Sequence, residues 1–283
     1  MANGALVLAG GGVAGISWEL GVLLGIQQAS PELAAKVLDE SVTLIGTSAG
    51  AAVAAQLAGG APLQELVDAQ LSEETAEVFV SINLAEFGAM MAGAMGAATS
   101  PEDSRRRLGQ IALNADTVPT AVRRAAIEGR LTVKSWGDRD LRLTAIDAES
   151  GELRIFDRTS GVSLIEAVDA SCAIPGIWPV VEIEGHKYMD GGMRTLANAD
   201  LAAGHDPILI LVPGLPEGPM GAPISQAELD ALAPARVKIV YADPASITAF
   251  GFNPLDPAVR PAAALAGIEV GRRVAAEVAD SWG

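Results

Sequence analysis

Two apolar runs, Leu6-Val7-Leu8-Ala9 and Val42-Thr43-Leu44-Ile45, each break on glycine and give way at once to a helical pattern. Runs of this length read as buried strands, and the roughly thirty residues between them are what a strand–helix–strand crossover needs. Val13 to Gln28 supplies the crossover helix, with Ile16, Leu20, Leu23 and Leu24 on one face and an end near Ser30-Pro31. A chain that opens in this way points to parallel strands with helices packed on them.

The second run leads into Gly46-Thr47-Ser48-Ala49-Gly50 and then into the helix-prone Ala51 to Leu57. Ser48 is therefore expected on a sharp strand-to-helix turn, where Gly46 and Gly50 permit the strained backbone and leave room above the hydroxyl. The helix that starts there aims unpaired N–H groups and its positive dipole end at the serine, which favours negative charge developing beside it.

Further along, Pro62 to Gly129 shows only helical or loop patterns, with helix starts marked at Pro62, Pro101 and Thr117 ahead of Pro119. Strands return at Leu141 to Ile146 and Leu153 to Phe156, around a turn at Glu149-Ser150-Gly151. A helix from Leu164 to Ser171 leads to Ile174-Pro175-Gly176. Val180 to Met189 reads as a hairpin turning at Glu184-Gly185, and it delivers Asp190-Gly191-Gly192. Two more buried strands, Ile208 to Val212 and Val237 to Tyr241, precede a closing helix from about Pro257 to Ser281. The pattern implies one α/β domain over residues 1–283, a mostly parallel central sheet between helices, with a helical insertion at about 62–130 and no internal repeat.

Composition narrows the function. Half the residues are apolar and 4% aromatic, so the core is built of Ala, Val, Leu and Ile. One cysteine, Cys172, excludes an intramolecular disulfide framework and fits a reducing, cytoplasmic setting. With only His186 and His205, a site needing several histidines is excluded, and no metal or cofactor is expected. The net charge of −16 opposes nucleic-acid binding. Charge is uneven: residues 101–160 carry ten acids and eleven bases, Arg105-Arg106-Arg107, Arg123-Arg124 and Arg130 among them. A solvated helical face is the ordinary reading of such arginines, and contact with phosphate headgroups the sharper one. The Ala5 to Ala9 run follows no basic residue, so no export signal is expected. No stretch has the length and apolarity of a membrane span, which leaves a soluble or at most peripheral protein.

Three glycine-flanked sites thus stand at strand ends: Gly10-Gly11-Gly12-Val13-Ala14-Gly15, the Ser48 turn, and Asp190-Gly191-Gly192. In this order and spacing, and with the block Ala170-Ser171-Cys172-Ala173-Ile174-Pro175 before Trp178-Pro179, the chain from about Ala5 to Met193 resembles the patatin-like phospholipases. The resemblance implies a three-layer α/β/α sandwich and a Ser–Asp dyad of Ser48 and Asp190, with phospholipid or lysophospholipid as substrate. It places the loop Gly10, Gly11 and Gly12 at the oxyanion, the N–H groups of Gly11 and Gly12 as donors and Gly10 in the turn. Residue chemistry agrees, since a carboxylate held against a serine hydroxyl can accept its proton and return it to the leaving alkoxide. The family usually has Arg or Lys where Ala14 stands, so headgroup preference and loop ordering are open.

Other readings attach to the same residues. Gly10-x-Gly12-x-x-Gly15 satisfies a dinucleotide fingerprint, although the second strand ends in Gly46-Thr47-Ser48 rather than in a ribose-binding acid. Ser48, Asp190 and His205 follow the chain order of a hydrolase triad, but His205 precedes a strand instead of following one. Asp147 and His186 read as turn and surface residues. Met90, Met91 and Met95 suggest a core helix, or a pliable lid. A non-catalytic relative that binds lipid is the remaining alternative.

Overall fold

The structure is a computed structural model describing residues 3–217 and 222–282. Its sheet is built from β1 (Ala5–Leu8), β2 (Thr43–Gly46), β3 (Leu141–Asp147), β4 (Leu153–Phe156), β5 (Val181–Ile183), β6 (His186–Asp190), β7 (Ile208–Val212) and β8 (Val237–Tyr241). Strand order is β5-β6-β3-β2-β1-β7-β8, with β4 also paired to β3. Five strands, β3-β2-β1-β7-β8, run parallel, while β4 and β6 pair antiparallel with β3 and β5 pairs antiparallel with β6.

Helices cover both faces, which is why β1 and β7 are apolar on every residue. Leu6 and Leu8 of β1 and Leu209 and Leu211 of β7 point to one core, with α1 (Gly12–Ala29), α3 (Ala49–Ala58), α8 (Leu164–Ser171) and α11 (Arg260–Trp282). Ala5 and Val7, with Ile208 and Ile210, point to the other, beneath the 3₁₀ turn Ala199–Ala202 and α9 (Gln226–Ala231). Each fully buried Leu or Ile here contributes roughly 1.5–3 kcal/mol relative to exposure. The result is the three-layer α/β/α sandwich.

The helical segment consists of α4 (Leu63–Leu71), α5 (Leu84–Gly96), α6 (Pro101–Asn114) and α7 (Thr120–Arg130). Proline at N1 with a Ser100 cap starts α6, as the sequence suggests; α5 starts instead on an Asn83 cap whose side chain accepts from Ala85 and Glu86 N–H. Ser30-Pro31, read from sequence as a helix end, is also the cap and first residue of α2 (Pro31–Val37). Two further helices lie in the C-terminal part, α9 and α10 (Pro244–Phe250), started by a Ser225–Glu228 capping box and by Asp243-Pro244 respectively.

Two features of the sheet position the site. Ala145 pairs with Asp190 across one edge of β3 and with Arg154 across the other, while Leu143 pairs with Gly46 and Phe156. Since β4 occupies one edge throughout, β2 and β6 share the opposite one and meet end to end along it. The residues after Gly46 and those at Asp190 are thereby brought to the same point.

Candidate active site

Ser48 follows β2 at φ 54°, ψ −112°, a backbone strained for any side chain and imposed by the turn into α3. Close packing leaves no choice at Gly50, where a Cβ would lie 2.0 Å from the Leu8 carbonyl oxygen of β1. The serine is itself buried, and its N–H donates to Ser171 Oγ at 2.9 Å. Its carbonyl accepts from the Cys172 thiol at 3.1 Å, so the Ser171-Cys172 segment at the end of α8 braces the turn on its underside.

Asp190 ends β6, buried, and its Oδ1 accepts from Gly192 N–H at 2.7 Å. Burial pushes its carboxyl up to about 6, against the opposing pull of the Ser48 hydroxyl, the Gly192 N–H and the Arg123 charge. Oδ2 has no hydrogen-bond partner among the described residues. The Ser48 hydroxyl is thus close enough to act on the Asp190 carboxyl, while one buried carboxylate oxygen is left without a hydrogen bond.

Asn198 ties the two halves together, a role with no signal in the sequence. Its Nδ2 donates to Thr47 Oγ1 at 3.1 Å and to the Gly191 carbonyl at 3.2 Å, while Arg194 Nη1 donates to its Oδ1 at 2.9 Å. Thr47 Oγ1 in turn lies 2.8 Å from Thr144 Oγ1 on β3. The residues before Ser48 and after Asp190 therefore share one buried network, and asparagine tolerates the left-handed backbone that this position requires.

Gly12 opens α1 at φ 66°, and a Cβ on it would lie 2.5 Å from Leu255 Cδ2. Ala14 N–H donates to the Pro254 carbonyl at 2.9 Å. That bond orders the loop where the family usually carries a cation, with Ala14 buried. The N–H groups of Gly11 and Gly12 have no acceptor among the described residues, and neither has that of Ala49, which the sequence reading did not include. Gly10 differs: its N–H is committed to the Leu196 carbonyl at 2.8 Å, so it holds the turn and is not a free donor.

Ser48, Gly12 and Ala49 line a slot of about 10 Å³, walled by Ile16, Ile174, Trp178 and Leu255. Arg123 also lines it, fully buried, with its guanidinium 3.9 Å from the Trp178 ring centroid and Nη2 donating to the Cys172 carbonyl. Burial and the neighbouring Arg130 lower Arg123 to about 10, leaving it a cation at neutral pH. A larger cavity of about 280 Å³ adjoins the slot at Ile16 and Arg130.

The remaining sequence readings divide against this arrangement. His205 Nε2 lies 3.0 Å from Thr43 Oγ1, at the start of β2, whereas Ser48 follows its end; the triad reading fails on that separation. His186 is exposed and lies 3.0 Å from Asp147, which caps its own turn through Glu149 and Ser150 N–H. Arg106 and Arg107 pair with Asp103, Arg124 with Glu128, and Arg105 donates to the Gly151 carbonyl, as on an ordinary solvated face. Arg123 and Arg130 are the exceptions, both turned inward. The dinucleotide reading loses the space it needs, because Pro254 and Leu255 occupy the helix N-terminus where a pyrophosphate would sit.

Fold and site together define an α/β protein with a strained serine at a strand-to-helix elbow, facing a buried aspartate. The chain belongs to the patatin-like phospholipase family, whose model matches residues 6–203. No curated protein matches it. Among solved structures it is similar to VipD from Legionella pneumophila, at 14% identity and TM-score 0.45, covering 98% of this chain and 67% of that one. It is likewise similar to the type III effector protein ExoU, at 15% identity and TM-score 0.45, covering 98% of this chain and 53% of that one.

Proposed function

We propose that the protein is a serine acyl hydrolase of the phospholipase A or lysophospholipase type, with residues 1–283 as one domain and 62–130 as its helical cap. The observation that carries this reading is the strained Ser48 beside a buried Asp190 whose Oδ2 is unpartnered. In the first step Asp190 takes the Ser48 proton as Oγ attacks the ester carbonyl. The tetrahedral oxyanion lies against the free N–H groups of Gly11 and Gly12, joined by that of Ala49. Collapse expels the alcohol, which leaves with the proton from Asp190. Water, deprotonated by the same carboxylate, then hydrolyses the acyl-Ser48 ester. The reaction as written uses no metal or cofactor.

No helix among the described residues is long and apolar enough to cross a membrane. The lone, buried Cys172 fits a cytoplasmic setting with peripheral access to lipid.

A fluorophosphonate ester probe tests the reading. Folded wild type is expected to carry one covalent adduct, mapped to Ser48 by mass spectrometry, and to hydrolyse p-nitrophenyl esters of short and long acyl chains. Folded protein that neither labels nor turns over would instead indicate a non-catalytic lipid-binding relative.

The pH profile follows from the Asp190 carboxyl, held up at about 6 by burial. A base must be ionised to accept a proton, so kcat/KM is expected to rise with pH through a midpoint near 6. Arg123 favours the ionised form, so Arg123→Gln should move this limb to higher pH. A limb near pH 4 in wild type, or one unmoved in the variant, would count against Asp190 as the base.

A further inference from the structure

Phe252 is 95% exposed at the tip of a loop that Gly251 turns with φ 66°. Phe79, 61% exposed, stands beside it, because Asn253 Nδ2 donates to the Val80 carbonyl at 2.8 Å and fastens the two loops together. The Phe252 loop leads directly to the Ser48 slot, and the Phe79 loop follows Glu77, which lines the adjoining larger cavity. Two residues beyond Asn253, Leu255 forms the slot wall; on the other side, the chain runs from Phe79 through Ile82 into α5.

Helix α5 continues the same surface. Glu86 is its only charged residue, yet most of the helix faces solvent, with Met95 half exposed and, among its described side chains, only Met91 and Ala94 buried. The expected core helix is therefore a surface helix docked along one edge. Met90 Sδ lies 3.4 Å from where a Cβ on Gly176 would be, between Ile174 and Trp178 of the slot wall. Aromatic and thioether side chains thus flank the mouth from two sides, without a lysine or arginine between Phe79 and Gly96. Solvent exposure of two phenylalanines and a Met-containing helix around one opening is what a nonpolar interface would bury.

We infer that Phe79, Phe252 and α5 form the surface by which the protein seats its active-site mouth on a zwitterionic lipid interface. The inference rests on the proposed ester hydrolysis and names the partner of that site. Charge selects the kind of lipid: a net charge of −16 repels an anionic surface, and the patch offers no cation to reverse this. Aromatic insertion alone suits phosphatidylcholine.

Three measurements test it on the full chain: co-sedimentation with phosphatidylcholine vesicles, co-sedimentation with phosphatidylglycerol vesicles, and hydrolysis of monomeric p-nitrophenyl butyrate. Wild type is expected to bind phosphatidylcholine, and to bind phosphatidylglycerol more weakly at low salt. Removing an inserted phenylalanine side chain costs about tenfold or more in partitioning. F79A/F252A is therefore expected to lose on the order of a hundredfold in vesicle binding, with an unchanged melting temperature and unchanged kcat/KM on the soluble ester. Vesicle binding equal in wild type and F79A/F252A would overturn the inference, as would binding confined to phosphatidylglycerol. A dimer in sedimentation velocity that F79A/F252A abolishes would assign the patch to a second copy instead. Phenylalanine-dependent vesicle binding without soluble-ester turnover would leave the surface standing and refute the hydrolase reading.

Discussion

Ser48→Ala is expected to reduce ester turnover by on the order of 10⁴-fold or more, with Asp190→Asn close behind and the double variant no worse than the poorer single one. The nucleophile and its base act as one unit, so removing either forfeits the covalent route, and what survives is binding and the oxyanion donors alone. Non-additivity is the sharp part of the prediction. If the losses multiplied, Ser48 and Asp190 would be acting in separate steps, and the proposed proton transfer between them would be wrong. Stability should move differently from activity. Asp190 titrates at about 6 when folded against an ordinary 3.8, so its ionised form costs stability that is lost progressively as pH rises between those values. Asp190→Asn removes that buried charge and is expected to melt no lower than wild type at pH 7.5. A large drop in melting temperature would instead make Asp190 a structural anchor and deprive the turnover loss of its meaning. Steady-state hydrolysis of p-nitrophenyl esters with parallel thermal melts gives both readings.

The elements around Ser48 and Asp190 are legible in the sequence because each is fixed by neighbours along the chain. An apolar run, a glycine and a helical pattern specify β1 into α1 and β2 into α3, and the Ser163–Glu166 capping box fixes the start of α8. The hairpin that delivers Asp190 announces itself at Glu184-Gly185. What brings Ser48 and Asp190 together is not local. It depends on β2 and β6 sharing one edge of β3, which brings together residues more than 140 positions apart without pairing them directly. Asn198 escapes notice for the same reason, since its partners Thr47 and Gly191 become its neighbours only in the folded sheet. Helix α5 misleads for a different one: its methionines and alanines fit a buried helix by composition, and only exposure separates a core face from a surface patch.

The C-terminal segment, beyond the residues matched by the family model, carries the other large prediction. α11 packs along α1, the helix that begins at the Gly-rich loop, through two pairs of glycines four apart, Gly21 and Gly25 against Gly267 and Gly271. A Cβ at Gly25 would lie 2.2 Å from the Ile268 carbonyl oxygen, and one at Gly271 would lie 2.1 Å from that of Val22. Backbone cannot yield there without the helices parting. In an unobstructed helix Gly→Ala stabilises by about 1 kcal/mol through propensity; here that gain is outweighed by overpacking of roughly 1–3 kcal/mol or more. With the overpacking at the upper end of that range, Gly25→Ala and Gly271→Ala are therefore each expected to destabilise by about 2 kcal/mol or more. Their combination should cost less than the sum, because the first substitution already separates the helices that the second would push apart. Gly93→Ala in α5 is the control with opposite sign, since nothing lies within 4 Å of a Cβ there. It should be neutral or stabilising by up to about 1 kcal/mol. Urea unfolding midpoints compared at constant m-value decide the matter. Stabilisation by Gly25→Ala would mean that α1 and α11 do not meet this closely, and that the Pro254 and Leu255 contacts over the Gly-rich loop are not clamped by the helix that follows them.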